Sequence, residues 1–252
     1  MTRITVITNQ KGGVGKTTTS HALICALRKL SFRTLAIDTD PQSNLTITMN
    51  ADETIPGVYE MLKGEISPQD AIQKTNQGDI ISASLMLSGA DLEFTTVGRE
   101  YLLADCLEQL KDQYDHIIID SPPTLGILTI NALTASNDVI IPLGADTYSL
   151  QELAQLNTTI SVIKKRCNPN LSIAGLLLTR YNGRTILSKE LREIIEEKAQ
   201  QIGTKAFNTV IREGIAIKEA QAQRGDLFEL CPKSNPAMDY LAFVGEYLDG
   251  LK

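Results

Sequence analysis

Residues 10–18 read QKGGVGKTT, between an apolar β-branched run, ITVIT at 4–8, and a helix-patterned stretch, TTTSHALICALRKL at 17–30. A glycine-rich turn between a buried strand and a helix restricts what can follow. Gly12, Gly13 and Gly15 allow backbone N–H groups to turn inward around phosphate oxygens, Val14 completes the arch, and the helix adds its positive end. Lys16 is placed to bridge β- and γ-phosphates, the Thr17 hydroxyl to ligate Mg²⁺, and Thr18 to bond the α-phosphate. At ordinary residue frequencies this pattern arises by chance on the order of once in 10⁴ chains of such length, so a bound nucleoside triphosphate is expected. Two details depart from the usual G-x-x-x-x-G-K-[ST] loop: Gln10 stands where its first glycine belongs, and a second lysine, Lys11, follows it.

Further short apolar runs occur at 34–38 (TLAID), 116–120 (HIIID), 138–143 (DVIIPL), 172–178 (SIAGLLL) and 206–211 (AFNTVI). Helix-like segments separate them at 97–113, 127–135, 150–165 and 186–201, and a last one covers 236–248. Strands apolar on both faces that alternate with helices predict a doubly wound α/β fold, a mostly parallel sheet covered on both sides. No repeat or Pro/Gly-rich linker divides the 252 residues, so a single domain over 1–252 is expected. Its least regular part, about 50–95, reads as an insertion with small helices at IPGVYEMLK and SPQDAIQK.

Phosphoryl transfer needs a metal ion held in place and a water aimed at the γ-phosphate. HIIIDSPP supplies Asp120 at the carboxyl end of a buried strand, where open α/β sheets bind ligands. AIDTDPQSN puts Asp38 and Asp40 two residues apart, which in extended geometry points both the same way before Pro41 turns the chain. Such a pair suits one metal-shell role and one water-positioning role.

These motifs resemble the ParA/Soj family of partition ATPases, in the deviant Walker A group that includes MinD. The resemblance rests on KGGVGKTT, DTDPQSN and HIIIDSPP, and continues more weakly through LLLTRYNGRT, IREGIAIKEAQ and CPKSNPAMDYLAFV. It implies a P-loop ATPase that uses ATP and Mg²⁺, slowly and with stimulation by a partner. Lys11 resembles the signature lysine that crosses a dimer interface to the partner's phosphates, and Lys16 the loop lysine. Asp40 resembles the carboxylate that activates water, Thr17 the metal ligand, and Asp38 and Asp120 the residues that order the metal shell. Family members often read I-P-R before E-A with the proline near adenine. Here Arg212 takes the proline's place, and Asn182 is a candidate for base recognition.

The resemblance further implies an ATP-dependent homodimer that binds double-stranded DNA without sequence preference and answers to a ParB-like centromere-binding protein. Net charge is −6, but residues 1–150 carry 10 basic and 18 acidic side chains, whereas 160–224 carry 12 and 6. Polyanion affinity outside the phosphate loop is therefore expected in the carboxy-terminal part, which offers Arg180, Arg184, Lys189, Arg192, Arg212, Lys218 and Arg224. The helix SKELREIIEEKAQ also places Lys189 opposite Glu193 and Arg192 opposite Glu196, the pattern of a solvated, ion-paired face.

Other readings compete. A MinD-like membrane ATPase would carry a basic amphipathic tail, but the last helix has Asp239, Glu246 and Asp249 among its charges and is expected to dock on the core instead. An iron–sulfur reductase would need a cysteine pair, whereas Cys25, Cys106, Cys167 and Cys231 are scattered. With no apolar run near the ~18 residues of a membrane span and the loop beginning close to the amino terminus, the expectation is a reduced, cytoplasmic, nucleoid-associated protein without a leader or a helix-turn-helix extension.

Overall fold

The computed structural model describes residues 2–144, 146, 148–183 and 186–251. β1 (Arg3–Ile7) leads through the glycine loop into α1 (Lys16–Lys29), then β2 (Thr34–Asp38), α2 (Asn44–Thr48) and α3 (Val58–Lys63). The hairpin β3 (Ile72–Thr75) and β4 (Gly78–Ile81) precedes α4 (Ala90–Glu93), α5 (Leu102–Glu108), β5 (His116–Asp120), α6 (Ile127–Ala135) and β6 (Asp138–Gly144). α7 (Tyr148–Arg166), β7 (Ser172–Thr179), α8 (Ile186–Gln201), α9 (Ile215–Ala222), α10 (Leu227–Leu230) and α11 (Asn235–Asp249) complete it.

The strands form one seven-stranded sheet in the order β3-β4-β2-β5-β1-β6-β7, parallel except for the β3–β4 pair. Side chains alternate between its faces, and both are covered. Ile117 and Ile119 join Val6, Leu35 and Ile141 in one core, while Ile118 joins Ile7, Ala36, Ile140 and Leu177 in the other. The second core contains α1 and the last helix: Tyr240, Phe243, Val244 and Tyr247 of α11 are each at most 1% exposed. The Tyr247 hydroxyl also lies 2.7 Å from Thr5 Oγ1 on β1. The apolar face of the tail is thus spent on the sheet, as expected of a docked helix, and no described helix is long and apolar enough to cross a membrane.

Three local expectations are corrected. SPQDAIQK forms no helix: the Ser67 hydroxyl and the Asp70 carboxylate and amide close a turn, and Ile72–Thr75 then pairs antiparallel with β4. Gly78, at φ +127, makes that tight return possible. Because β4 pairs in parallel with β2, residues 72–81 extend the main sheet. AFNTVI is not a continuous strand either. It and Arg212, which follows it, meet β7 and its continuation through isolated bridges, Leu176 with Ala206 and Tyr181 with Arg212. Between them the amides of Asn208 and Thr209 donate to the Glu246 carboxylate on α11, which takes them out of any ladder. The 97–113 helix is shortened to a 3₁₀ turn, Arg99–Tyr101, followed by α5.

Candidate functional site

The register aligns Ile7 with Asp120 and Asp120 with Asp38, so three adjacent strands end together beneath the glycine loop. Asn9 ties the start of the loop down: its side-chain amide donates to the Pro142 carbonyl at 2.6 Å and its oxygen accepts from the Lys11 amide at 3.1 Å. Gly13 at φ +75 and Gly15 at φ +84 take left-handed conformations that a side chain would strain. Thr179, at the end of β7, holds the loop from the other side by donating to the Val14 carbonyl at 2.8 Å.

Lys16 opens α1 and folds back under the arch, its ammonium 2.9 Å from the Lys11 carbonyl oxygen. Burial lowers its pKa, an effect that the charges of Asp120 and Asp40 oppose. The Thr17 hydroxyl donates to Asp120 Oδ2 at 2.7 Å and the Ser20 hydroxyl to Oδ1 at 2.8 Å. Asp120 and Asp38 are fully buried, and burial raises the pKa of both; for Asp120 the negative charge of Asp38 adds to it.

Asp38 and Asp40 do not act side by side as extended geometry predicts. Asp38 Oδ2 accepts from the amide and hydroxyl of Thr46, both at 2.8 Å, and Oδ1 from the Asp40 amide at 3.1 Å. Asp38 therefore ties the 39–46 segment to the sheet. Asp40 instead borders the cavity of about 680 Å³ in front of the loop, where Gly12, Gly13, Gly15, Lys16, Thr17 and Thr18 form the floor. Gln42, Asn44 and Thr48 continue one wall, and residues 211–214 with Ile217, Lys218 and Gln221 make the other. Gln221 clamps the floor through a 3.1 Å hydrogen bond to the Thr18 hydroxyl.

This donor set fits a nucleotide with its cation. The arch presents amides and one ammonium to phosphates. Thr17 and the carboxylate behind it are hard oxygen donors of the kind Mg²⁺ takes, and a dication would relieve the repulsion between the two buried carboxylates.

Lys11 lies outside the cavity wall. Its ammonium pairs with Asp146 at 2.6 Å, with the two side chains 27% and 39% exposed. Burial pushes the Asp146 carboxyl up, but the Lys11 ammonium outweighs that and holds it below the usual range.

The basic residues of the carboxy-terminal part separate into groups. Arg180, Arg212 and Lys218 border the cavity. Arg180, at φ +52, reaches the Gly13 carbonyl at 3.4 Å and Glu213 at 3.6 Å, and Arg212 is paired with Asp239 at 2.6 Å. On α8, Arg192 makes the expected pair with Glu196 at 2.8 Å, and Lys189 is exposed nearby. Arg224 is exposed beyond α9, and Arg184 lies outside the described residues. Asn182 is exposed and does not border the cavity, whereas Arg212 does, in the segment where the family's proline is absent. The sequence reading missed Asp146, Gln221 and the α2 wall. Only the α2 wall had a signal, the polar run PQSN after Asp40.

A family profile described as an AAA domain matches residues 2–173. The chain is 40% identical over 251 residues to the sporulation initiation inhibitor protein Soj of Bacillus subtilis (strain 168), covering 98% of each. It is 35% identical over 251 residues to the chromosome partitioning protein ParA of Myxococcus xanthus (strain DK1622), covering 98% of this chain and 88% of that one. Among solved structures, cobyrinic acid a,c-diamide synthase from Mycobacterium smegmatis with a bound ATP analogue and magnesium superposes with a TM-score of 0.88 at 34% identity, covering 100% of this chain and 96% of that chain. Likeness along nearly the whole length of Soj and ParA, joined to a two-lysine phosphate loop with its carboxylates in place, puts this chain in the ParA/Soj family of P-loop partition ATPases.

Proposed function

We propose that the protein is an ATP-gated DNA partition switch. ATP and Mg²⁺ bind at the glycine loop, ATP joins two copies face to face, the dimer holds double-stranded DNA without sequence preference, and hydrolysis releases it. The observation that carries this reading is the division of labour between the lysines: Lys16 lies under the arch of its own loop, while Lys11 stands outside the cavity on Asp146. A lysine that stands outside its own chain's cavity can serve a partner's nucleotide. In a shielded interface its charge counts for more than in bulk water, where a pair at 4 Å is worth only about 1 kcal/mol.

In the proposed reaction the loop amides and Lys16 hold the β- and γ-phosphates; Thr17 and Asp120 would hold Mg²⁺, which when bound would supply neutralisation of phosphoryl charge. Asp40, at the cavity wall, accepts a proton from the attacking water. Asp38 acts at one remove, ordering the segment that carries Asp40 through its bonds to Thr46 and to the Asp40 amide. The DNA surface draws on Lys189, Arg192 and Arg224, with Arg180, Arg212 and Lys218 nearer the nucleotide, and a ParB-like partner stimulates turnover on the nucleoid.

Two other functions find less support. The main apolar face of α11 is buried, and the large apolar side chains it still exposes, Met238 and Leu241, stand beside Asp239 with no basic residue on the helix to meet an anionic membrane. Amide transfer, named for the Mycobacterium smegmatis structure, needs a source of ammonia. When that source is glutamine, an activated thiol releases it, but Cys25, whose Sγ lies 3.4 Å from His21 Nε2, is buried and its thiol is pushed far up by that burial.

Sedimentation analysis with ADP and with a non-hydrolysable ATP analogue, each with and without DNA, tests the proposal. A dimer that forms and retains DNA only with the ATP analogue is expected. Equal size and equal DNA retention in both nucleotide states would sink the gating idea.

A further inference from the structure

Behind the nucleotide cavity, one buried glutamine joins three distant parts of the chain. Gln77, 4% exposed, sits in the turn between β3 and β4. Its amide nitrogen donates to the Thr48 carbonyl at 2.8 Å and to the Arg224 carbonyl at 3.0 Å, and its oxygen lies 2.6 Å from His21 Nε2. Carbonyls can only accept, so these two fix which end of the amide is the nitrogen. The oxygen then faces His21, whose Nε2 carries the proton between them. Both amide hydrogens and the oxygen are used, at a depth where an unmet polar atom is costly. The turn itself is pinned: the Thr75 hydroxyl donates to the Gly78 carbonyl at 2.9 Å and accepts from the Gln77 amide at 3.0 Å.

A buried glutamine ordinarily only braces a fold. Gln77 is set apart by where its three bonds end, each on a different side of the cavity. His21 lies on α1, one turn beyond Thr17 and Thr18 of the floor. Thr48 ends α2 and with it the first wall. Arg224 closes the turn after α9, its amide bonded to the Gln221 carbonyl at 3.0 Å, and Gln221 is the residue of the other wall that clamps Thr18. Arg224 takes a left-handed φ of +48, uncommon for a long side chain, and its carbonyl accepts a second side-chain amide, from Asn50, at 2.9 Å. Thr18 and two of the partners, His21 and Thr48, share a gap of only about 20 Å³, so little empty space is there to absorb a shift of those partners. The reacting end of the cavity is held separately, by the bonds of Asp38 to Thr46 and to the Asp40 amide.

We propose that Gln77 is a positioning residue for the nucleotide, which sets the spacing of the two cavity walls over the floor through Thr48, Arg224 and His21. The inference rests on the reading of the cavity as an ATP site and not on the dimer or the DNA steps. Because the bonds of Gln77 reach the walls and not the segment at Asp40, they serve ATP, ADP and the transition state equally. Binding shared in this way lowers the nucleotide concentration that is needed and leaves the saturated rate nearly as it was.

The test uses the full chain with Mg²⁺ and two substitutions. Gln77→Met keeps the length of the side chain and removes both donors and the acceptor. It should weaken binding of a fluorescent ADP about tenfold at an unchanged one per chain, and raise the ATP concentration for half-maximal hydrolysis by a similar factor. The rate at saturating ATP should fall by less than about twofold. Asn50→Gly removes the other donor to the Arg224 carbonyl at an exposed position whose φ of +57 suits glycine, and it guards against a Gln77 variant that fails to fold. It should weaken ADP about threefold. Parental ADP affinity in both variants would overturn the proposal. So would a lower number of sites at parental affinity, the mark of lost folded protein alone, or a saturated rate that falls as far as the affinity does. Should the native chain bind no ADP, the nucleotide reading falls and takes this inference with it. ADP held equally by native and variant chains leaves that reading standing and ends the inference alone.

Discussion

Single residues decide the proposed reaction, and their roles separate by which step fails. Asp40 borders the cavity while Asp38 is committed to Thr46. Asp40→Ala should therefore keep ATP affinity, lower the turnover number by about 10² to 10³, within the range for loss of a positioned general base, and accumulate the dimer. Hydrolysis at the parental rate would remove Asp40 from the mechanism. The lysines divide differently. Lys16→Ala should abolish nucleotide binding or hydrolysis, whereas Lys11→Ala should leave monomeric ATP binding and lose ATP-driven dimerisation, both read by equilibrium dialysis and sedimentation. Asp146→Asn sharpens the point: if the 2.6 Å pair restrains Lys11, weakening it should favour the dimer. The shift should be at most about fivefold, since exposed pairs are worth ~0.2–1 kcal/mol. The loop, its lysines and the carboxylates were legible because each sits in a short contiguous motif. Asp146 was not, because its partner stands 135 residues away and no local pattern marks the pairing.

At the scale of elements, the parts read correctly from sequence were those with a strong period and two apolar faces: β1, β2, β5, β6 and the long helices. The misreadings lie where one side-chain group overrides local preference. AFNTVI has the β-branched and aromatic content of a strand, yet Glu246 on α11 takes two of its amides, 38 and 37 residues away. SPQDAIQK carries helix-tolerant residues, but the turn at Ser67 and the glycine at 78 return the chain as a hairpin. The Glu246 contact also sets a pH dependence. Burial pushes its carboxyl up, but the Asn208 and Thr209 hydrogen bonds outweigh that and hold its pKa below the usual value. A depressed folded-state pKa contributes stability above the unfolded value of about 4.3, and that contribution is lost as pH falls through the lower folded value. Glu246→Gln should lower the melting temperature near neutrality and flatten its acid-side decline. Parallel melting curves for variant and parent from pH 3 to 7 would show that the carboxylate does not hold this segment.

For the whole molecule, charge distribution sets the terms of the proposed DNA binding. The chain carries −6 overall, and its cation excess is confined to 160–224, with 12 basic against 6 acidic side chains. Part of that excess is already used: Arg212 is paired with Asp239, Arg192 with Glu196, and Arg180 faces Glu213. Among the described residues the other basic side chains of this region enter no ion pair, so one copy can neutralise some phosphates, while the acidic remainder of the chain repels a polyanion. Two copies joined by ATP present the same set twice along one duplex. Each phosphate neutralised contributes about −0.9 to the slope of log affinity against log salt, so the slope should roughly double from the ADP-bound monomer to the ATP-analogue-bound dimer. Affinity at low salt should rise far more than twofold, because the two sets of contacts act in one binding event. Fluorescence anisotropy on a labelled duplex between about 50 and 200 mM salt covers the range in which such contacts lose most of their strength. A dimer whose slope equals the monomer's would mean that pairing adds no phosphate contacts. Nucleotide control of DNA release would then have to act through a change of shape within each copy.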